Sequence, residues 1–192
     1  MSRLVFGRYT GRGLWSLFLM CALPLHAWTL VLAFRDLSWL TERTNAWDAV
    51  GVLSYGLLFA LVESMLLFVV AALLGWLLPR GWEPERRIGV LSVLVLVLAV
   101  WAMLGQLYFL LNVRLPAGLI AALVRSQHPL WLMYTVVPAV VGLSFALPVW
   151  AVMRAGRGVP ALVGVIERLG LLAMFYLAFD AAALVIVVIR NI

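Results

Sequence analysis

Five long apolar stretches, separated by short segments that contain arginine, dominate the sequence. Each stretch is long enough to cross about 30 Å of hydrocarbon as a helix that rises 1.5 Å per residue. The chain is 66% hydrophobic and 11% charged, whereas a soluble domain is about half apolar and about a quarter charged. We therefore predict that a lipid bilayer surrounds most of this chain.

The apolar stretches predict an all-α polytopic integral membrane protein, a bundle of five transmembrane helices that forms one domain over residues 1–192. The predicted spanning helices cover residues 14–34, 50–78, 88–111, 130–153 and 168–189. We read the first of them as an uncleaved helix, since its apolar run is too long for a signal peptide. Between the third and fourth helices, residues 116–126 carry apolar side chains at helical spacing after Pro116. They predict a short interfacial helix in the second outer loop.

The distribution of arginine predicts the orientation. All fourteen basic residues are Arg, and nine of them fall on the side of the N-terminus against five on the other side. The nine are Arg3, Arg8, Arg12, Arg80, Arg86, Arg87, Arg154, Arg157 and Arg168, and the five are Arg35, Arg43, Arg114, Arg125 and Arg190. By the positive-inside rule, we expect a bacterial cytoplasmic (inner) membrane protein with a cytoplasmic N-terminus and an extracytoplasmic C-terminus. Because the arginines are scattered between apolar runs, the net charge of +6 does not indicate nucleic-acid binding.

Three ionisable residues lie deep within predicted helices. Counted from the helix ends, Glu63, Asp180 and His26 are each about 18–20 Å from a membrane surface. An acid at this depth costs a few kcal/mol unless it is paired, neutral or hydrated, so it marks a candidate functional site. One interpretation is a proton-linked or cation-linked site, and the other is a set of neutral, hydrogen-bonded groups that hold the bundle or a partner subunit together.

A row of small residues on the second predicted helix indicates close helix packing. Its members recur mainly at four-residue spacing and are Gly56, Ala60, Ser64, Ala71 and Gly75. Small side chains allow another helix to approach closely. We call this row the small-residue seam, and we expect Glu63 to lie at its edge rather than to face lipid.

Motifs for chemistry are not recognisable. The sequence contains no glycine-rich phosphate loop, no histidine pair at metal-binding spacing and no serine elbow. We therefore expect no catalytic residues, no cofactor and no metal, and we expect a protein that is not an enzyme. The cluster Glu83, Glu85, Arg86 and Arg87 is interpreted as a solvated charge network in a turn.

Three functions remain open. The first is an accessory, assembly or anchoring subunit of a larger membrane or extracytoplasmic partner. The second is an oligomeric proton- or ion-linked transporter or channel that uses Glu63 and Asp180. The third is the membrane module of a lipid-headgroup-modifying system. In each case membrane lipids, and a protein partner or further copies of the chain, are the expected contacts.

A resemblance suggests how the first function could work, as a membrane module that serves a separately encoded outer enzyme. Five helices with an outer C-terminus resemble the membrane domain of lipid-headgroup transferases of the alkaline phosphatase superfamily. The resemblance covers helix number and topology, and no residue is carried over from it.

Overall fold

A computed structural model describes residues 4–5, 8–154 and 158–192. Within these ranges a short antiparallel hairpin precedes seven helices. The strands are β1 (Leu4–Val5) and β2 (Tyr9–Thr10), and the helices are α1 (Gly11–Arg35), α2 (Leu37–Arg43), α3 (Ala46–Leu74), α4 (Pro84–Leu110), α5 (Ala117–Arg125), α6 (Pro129–Arg154) and α7 (Gly158–Asn191). Helices α1, α3, α4, α6 and α7 are long and apolar enough to cross a membrane. The predicted all-α polytopic fold is confirmed.

The spanning helices alternate in direction around a central α1. At one end of the bundle, which we call the proximal end, Arg12 at the start of α1 contacts Glu167 in the first third of α7. At the opposite, distal end, Asp48 at the start of α3 contacts Arg190 at the end of α7. Helix α1 packs against α3, α4 and α7, whereas α6 packs mainly against α4 and α7. Successive helices run in opposite directions because a short loop joins two helix ends on the same side of the bilayer.

Local sequence signals set several helix starts. Thr10 caps α1, because its hydroxyl accepts a hydrogen bond from the backbone N–H of Gly13 at 3.0 Å. Asn45 caps α3 in the same way, with its side-chain oxygen 2.8 Å from the backbone nitrogen of Asp48. Pro84 opens α4 at a position where no backbone N–H is needed. These three helices start three or four residues before the predicted apolar runs, because polar residues can occupy the first turn.

Several predicted bounds are corrected by the structure. Helix α3 ends at Leu74 and not at residue 78, since apolar residues continue into the turn that follows. Helix α7 begins at Gly158, ten residues before the predicted start at 168. Pro160 lies in its first turn, where a backbone N–H has no partner within the helix, so this proline does not end the helix. The short helix α2 was not predicted. The helix predicted for residues 116–126 is present as α5, although its place at the lipid interface stays a prediction.

Burial within the bundle is concentrated on α1. Leu19 and Met20 on this helix pack against Ile166 and Ala173 on α7, while Leu17 packs against the core of α4. Helix α6 differs, since none of its residues from 129 to 150 is buried. The protein thus has a packed centre around α1 and broad apolar outer faces on α3 and α6.

Candidate functional site

The deepest polar contact in the bundle joins His26 on α1 to Asp180 on α7. The imidazole Nε2 lies 2.9 Å from Oδ2 and 3.1 Å from Oδ1 of the carboxylate. His26 is 0% and Asp180 3% exposed. The surrounding protein covers both side chains, so the contact is shielded from whatever surrounds the bundle.

The hydrogen bonds of His26 determine that its Nδ1 atom carries a hydrogen. Its Nδ1 lies 2.8 Å from the backbone carbonyl of Ala22, so Nδ1 carries a hydrogen and donates it. Nε2 then either donates a second hydrogen to the carboxylate or accepts one from the neutral acid of Asp180. Both arrangements contain two protons and no net charge, so the pair avoids the cost of an isolated charge in a low-dielectric interior.

Tyr176 completes the surroundings of the pair. It lies one helical turn before Asp180 on α7, and its ring stacks on the imidazole at 5.9 Å between centroids and 7° between planes. The hydrogen bonds and the stacked ring together hold the imidazole in one orientation. Three cavities, of about 110, 390 and 540 Å³, open elsewhere on the bundle, and neither His26 nor Asp180 lines any of them.

Glu63 does not join this pair. Ser64 and Ala60 are buried against the bundle, but Glu63 is exposed on the outer surface of α3. In the single chain Glu63 points away from the bundle, because one residue along a helix turns a side chain by about 100° relative to the buried Ser64. The expectation that it does not face lipid stays a prediction. The structure therefore brings together two of the three predicted polar residues and places the third on the outside.

The small-residue seam lies on the side of α3 that faces the bundle. Ala60, Ser64, Ala71 and Gly75 are buried, and Gly56 is half-buried. Ser64 satisfies its own hydroxyl by donating to the carbonyl of Ala60 at 2.6 Å. At Gly75 a Cβ atom would overlap the hydroxyl of Tyr9. Close approach to this helix therefore depends on the absence of larger side chains.

A second buried polar group, which the sequence did not indicate, lies at the proximal end. Arg87 is 1% exposed, and its guanidinium donates to the carbonyls of Arg8 at 2.8 Å and Pro79 at 3.0 Å. The ring of Tyr9 lies 5.7 Å from its charged carbon, and the Tyr9 hydroxyl donates to the carbonyl of Ala72 at 2.6 Å. We call these contacts the proximal clamp, since they hold the hairpin strand β2 against the end of α3.

The interpretation of Arg87 as part of a solvated charge network is wrong. Arg86 and Arg87 are neighbours in sequence, and only the phase of α4 decides that Arg87 points into the bundle while Arg86 stacks on Trp82 at 4.5 Å. The carbonyls of Arg8 and Pro79, which lie outside the helices, accept the hydrogen bonds of the buried guanidinium. Tyr176 was also missed, although its spacing of four residues from Asp180 places both on one helix face.

Metal-binding clusters are absent among the residues that the structure describes: no three His, Cys, Asp or Glu side chains lie together. Arg3 and Arg157, which the arginine count includes, lie outside those residues. Comparison of the chain with protein-family models, with curated proteins and with solved structures finds no match. The geometry of the described residues is thus the basis for a functional proposal.

Proposed function

We propose that this chain is a non-enzymatic accessory or anchoring subunit of a larger membrane or extracytoplasmic partner. It would lie in a bacterial cytoplasmic membrane with its N-terminus in the cytoplasm and its C-terminus outside. The observation that supports this role is the closure of the His26–Asp180 pair. The polar pair inside the bundle is satisfied internally, while apolar side chains on α3 and α6 remain exposed.

The closed pair favours a structural role over transport. A transport site must be reached from both sides of the membrane in turn, and it needs groups that exchange protons or ions with water. His26 and Asp180 are tied to each other and to Ala22, and Tyr176 covers the ring. The transporter hypothesis also needs Glu63 beside Asp180, but Glu63 is exposed on α3 while Asp180 is buried.

The exposed face of α6 is the surface that we assign to the partner. Trp131, Tyr134 and Trp150 on this helix are each more than half exposed. Aromatic side chains with a polar tip are enriched in interfaces. Among the five spanning helices, α6 also contributes least to the packing of the bundle, so it can pack against another membrane segment.

Copurification from the native membrane in mild detergent tests this proposal. We expect a partner at fixed stoichiometry with the unaltered chain, and its loss when Tyr134→Ala and Trp150→Ala are combined. A matched control is Phe175→Ala together with Phe179→Ala, which removes exposed aromatic rings from α7. Equal recovery of the partner with both double variants would argue against the α6 surface.

A second measurement separates anchoring from transport. The purified chain in liposomes is expected to show no proton flux above that of empty liposomes under an imposed gradient. Flux that depends on Asp180, and that Asp180→Asn abolishes without loss of folded protein, would overturn the anchoring role in favour of transport.

A further inference from the structure

Glu63 lies in the middle of an apolar stripe along the outer face of α3. The other members of this stripe, which we call the Glu63 stripe, are Val52, Phe59, Leu66, Val70 and Leu73. Each of these apolar side chains is more than half exposed. Their spacing of three, four or seven residues is that of the seam by which two helices pack in a coiled coil.

In the isolated chain Glu63 is exposed at a depth where an acid in contact with lipid has an unfavourable free energy. Within the described part of the chain, it has no ion pair or hydrogen bond. An acid at the centre of a membrane helix is unfavourable by about 2.5–3.5 kcal/mol on insertion scales, and such residues almost always face a protein interior or water. We therefore expect another protein surface to cover this position and to form a hydrogen bond with Glu63.

We propose that a second copy of this chain covers the Glu63 stripe, in a two-fold dimer in which the two Glu63 carboxyl groups hydrogen-bond to each other. Hydrocarbon favours the neutral carboxylic acid over the charged form. A neutral carboxylic acid has one donor and an acceptor, so two of them satisfy each other without any other group.

In a two-fold dimer, the Glu63 stripe of one copy packs against the Glu63 stripe of the other copy. Copies that insert with the same topology are parallel, and a two-fold axis along the membrane normal brings Glu63 opposite Glu63. The exposed cations among the described residues lie outside the spanning segments or within about one turn of their ends. A second copy therefore offers a hydrogen-bonding match at this depth through its own Glu63. This dimer does not depend on the anchoring role, since the α6 surface and the Glu63 stripe are on different helices.

Disulfide cross-linking of the full chain in membranes tests the geometry. In a Cys21→Ala background, Leu66→Cys places a thiol on the stripe, and Met65→Cys is a matched control that is also exposed but points away from Glu63. We expect dimers from Leu66→Cys and at least tenfold fewer from Met65→Cys. Equal cross-linking at both positions, or none at Leu66→Cys, would overturn the proposed interface.

Energy transfer between labelled copies in liposomes tests the role of the carboxyl group. Glu63→Leu is expected to raise the dimer dissociation constant about tenfold, the combined effect of the two interhelical hydrogen bonds between the acids. Glu63→Gln keeps a donor and an acceptor and is expected to stay within about threefold of the unaltered chain. The proposal is contradicted if the unaltered chain stays monomeric at all densities, which is the result expected if a different partner covers the stripe. It is also contradicted if Glu63→Leu leaves the dimer dissociation constant unchanged.

Discussion

The Nε2 atom of His26 lies 2.9 Å from the carboxylate of Asp180, which is 154 positions away in the sequence. This contact links the first spanning helix to the last, and both side chains are almost completely buried. A bilayer supplies no water to either group, so each depends on the other for its hydrogen bonds.

Single and double substitutions of this pair are expected to be strongly non-additive. His26→Leu leaves Asp180 buried without a partner and is expected to lower the free energy of unfolding by about 3–5 kcal/mol. His26→Leu combined with Asp180→Leu removes both polar groups and is expected to cost less than His26→Leu alone. Unfolding of the purified chain in mixed micelles measures both. A double variant as unstable as the sum of the single variants would contradict the pairing.

Asp180→Asn provides a milder test of the same contact. The amide nitrogen of Asn can donate to Nε2 of His26 while Nδ1 continues to donate to Ala22. We expect a loss of about 1 kcal/mol or less in the free energy of unfolding, the value of one hydrogen bond. The same micelle titration reports it, and a loss as large as that of His26→Leu would show that the negative charge itself is required.

Arg87 is expected to be far more important for stability than its neighbour. Arg87→Ala removes two hydrogen bonds from a buried charged donor to backbone carbonyls, with an expected cost of about 3 kcal/mol. Arg86→Ala is the control, because this neighbouring side chain is only half-buried and stacks on Trp82, so its removal should cost less than that of the buried Arg87. Thermal unfolding of both variants checks the ranking, and equal costs would argue against the proximal clamp.

Gly75 is expected not to tolerate alanine. A Cβ atom there would overlap the hydroxyl of Tyr9 and lie 2.9 Å from Leu91, so overpacking should cost about 1–3 kcal/mol. Gly105→Ala on α4 is the control, since a Cβ there meets open space. Tyr9→Phe removes the overlapping oxygen and should restore part of the stability lost in Gly75→Ala. A cycle of these variants in unfolding assays shows whether the two positions are coupled.

The proximal clamp is expected to weaken at high pH. Burial raises the pKa of Tyr9 above its usual value of 10.0, although Arg87 and Arg8 oppose the shift. The stabilisation is therefore complete below about pH 10 and is lost as the pH rises through the higher folded-state value. Tyr9→Phe cannot ionise, so the stability difference between the two proteins should shrink above pH 10. A difference that is constant from pH 8 to 11 would contradict this.

The orientation can be checked by labelling single cysteines in the Cys21→Ala background. Gly81→Cys lies in the proximal turn and Gln127→Cys in the distal loop, and both positions are exposed. We expect a membrane-impermeant thiol reagent to label Gln127→Cys in intact cells and Gly81→Cys only after permeabilisation, because arginine-rich loops stay in the cytoplasm. The reverse pattern would invert the topology, and labelling of both in intact cells would contradict a five-span arrangement.

The sequence predicted the five spanning helices and the short helix α5 within a few residues at most ends. Apolar length is sufficient for this, since a helix must satisfy its own backbone across the hydrocarbon. The start of α7 was missed by ten residues, because polarity marks where a helix leaves the lipid but does not end the helix. Polar residues deep in helices were likewise visible, and depth arithmetic placed His26 and Asp180 at one level.

The sequence by itself determined which segments are suited to lipid and which to water, and how deep in the membrane each polar group is expected to lie. The tertiary structure decided which way those groups point: His26 meets Asp180, Glu63 faces outward beside the buried Ser64, and Arg87 turns inward beside Arg86. The physical reason is that nearly every face of these helices is apolar, so the hydrophobic pattern does not specify a packing side. Helix rotation is then set by small residues and by paired polar groups, which depend on contacts between distant parts of the chain.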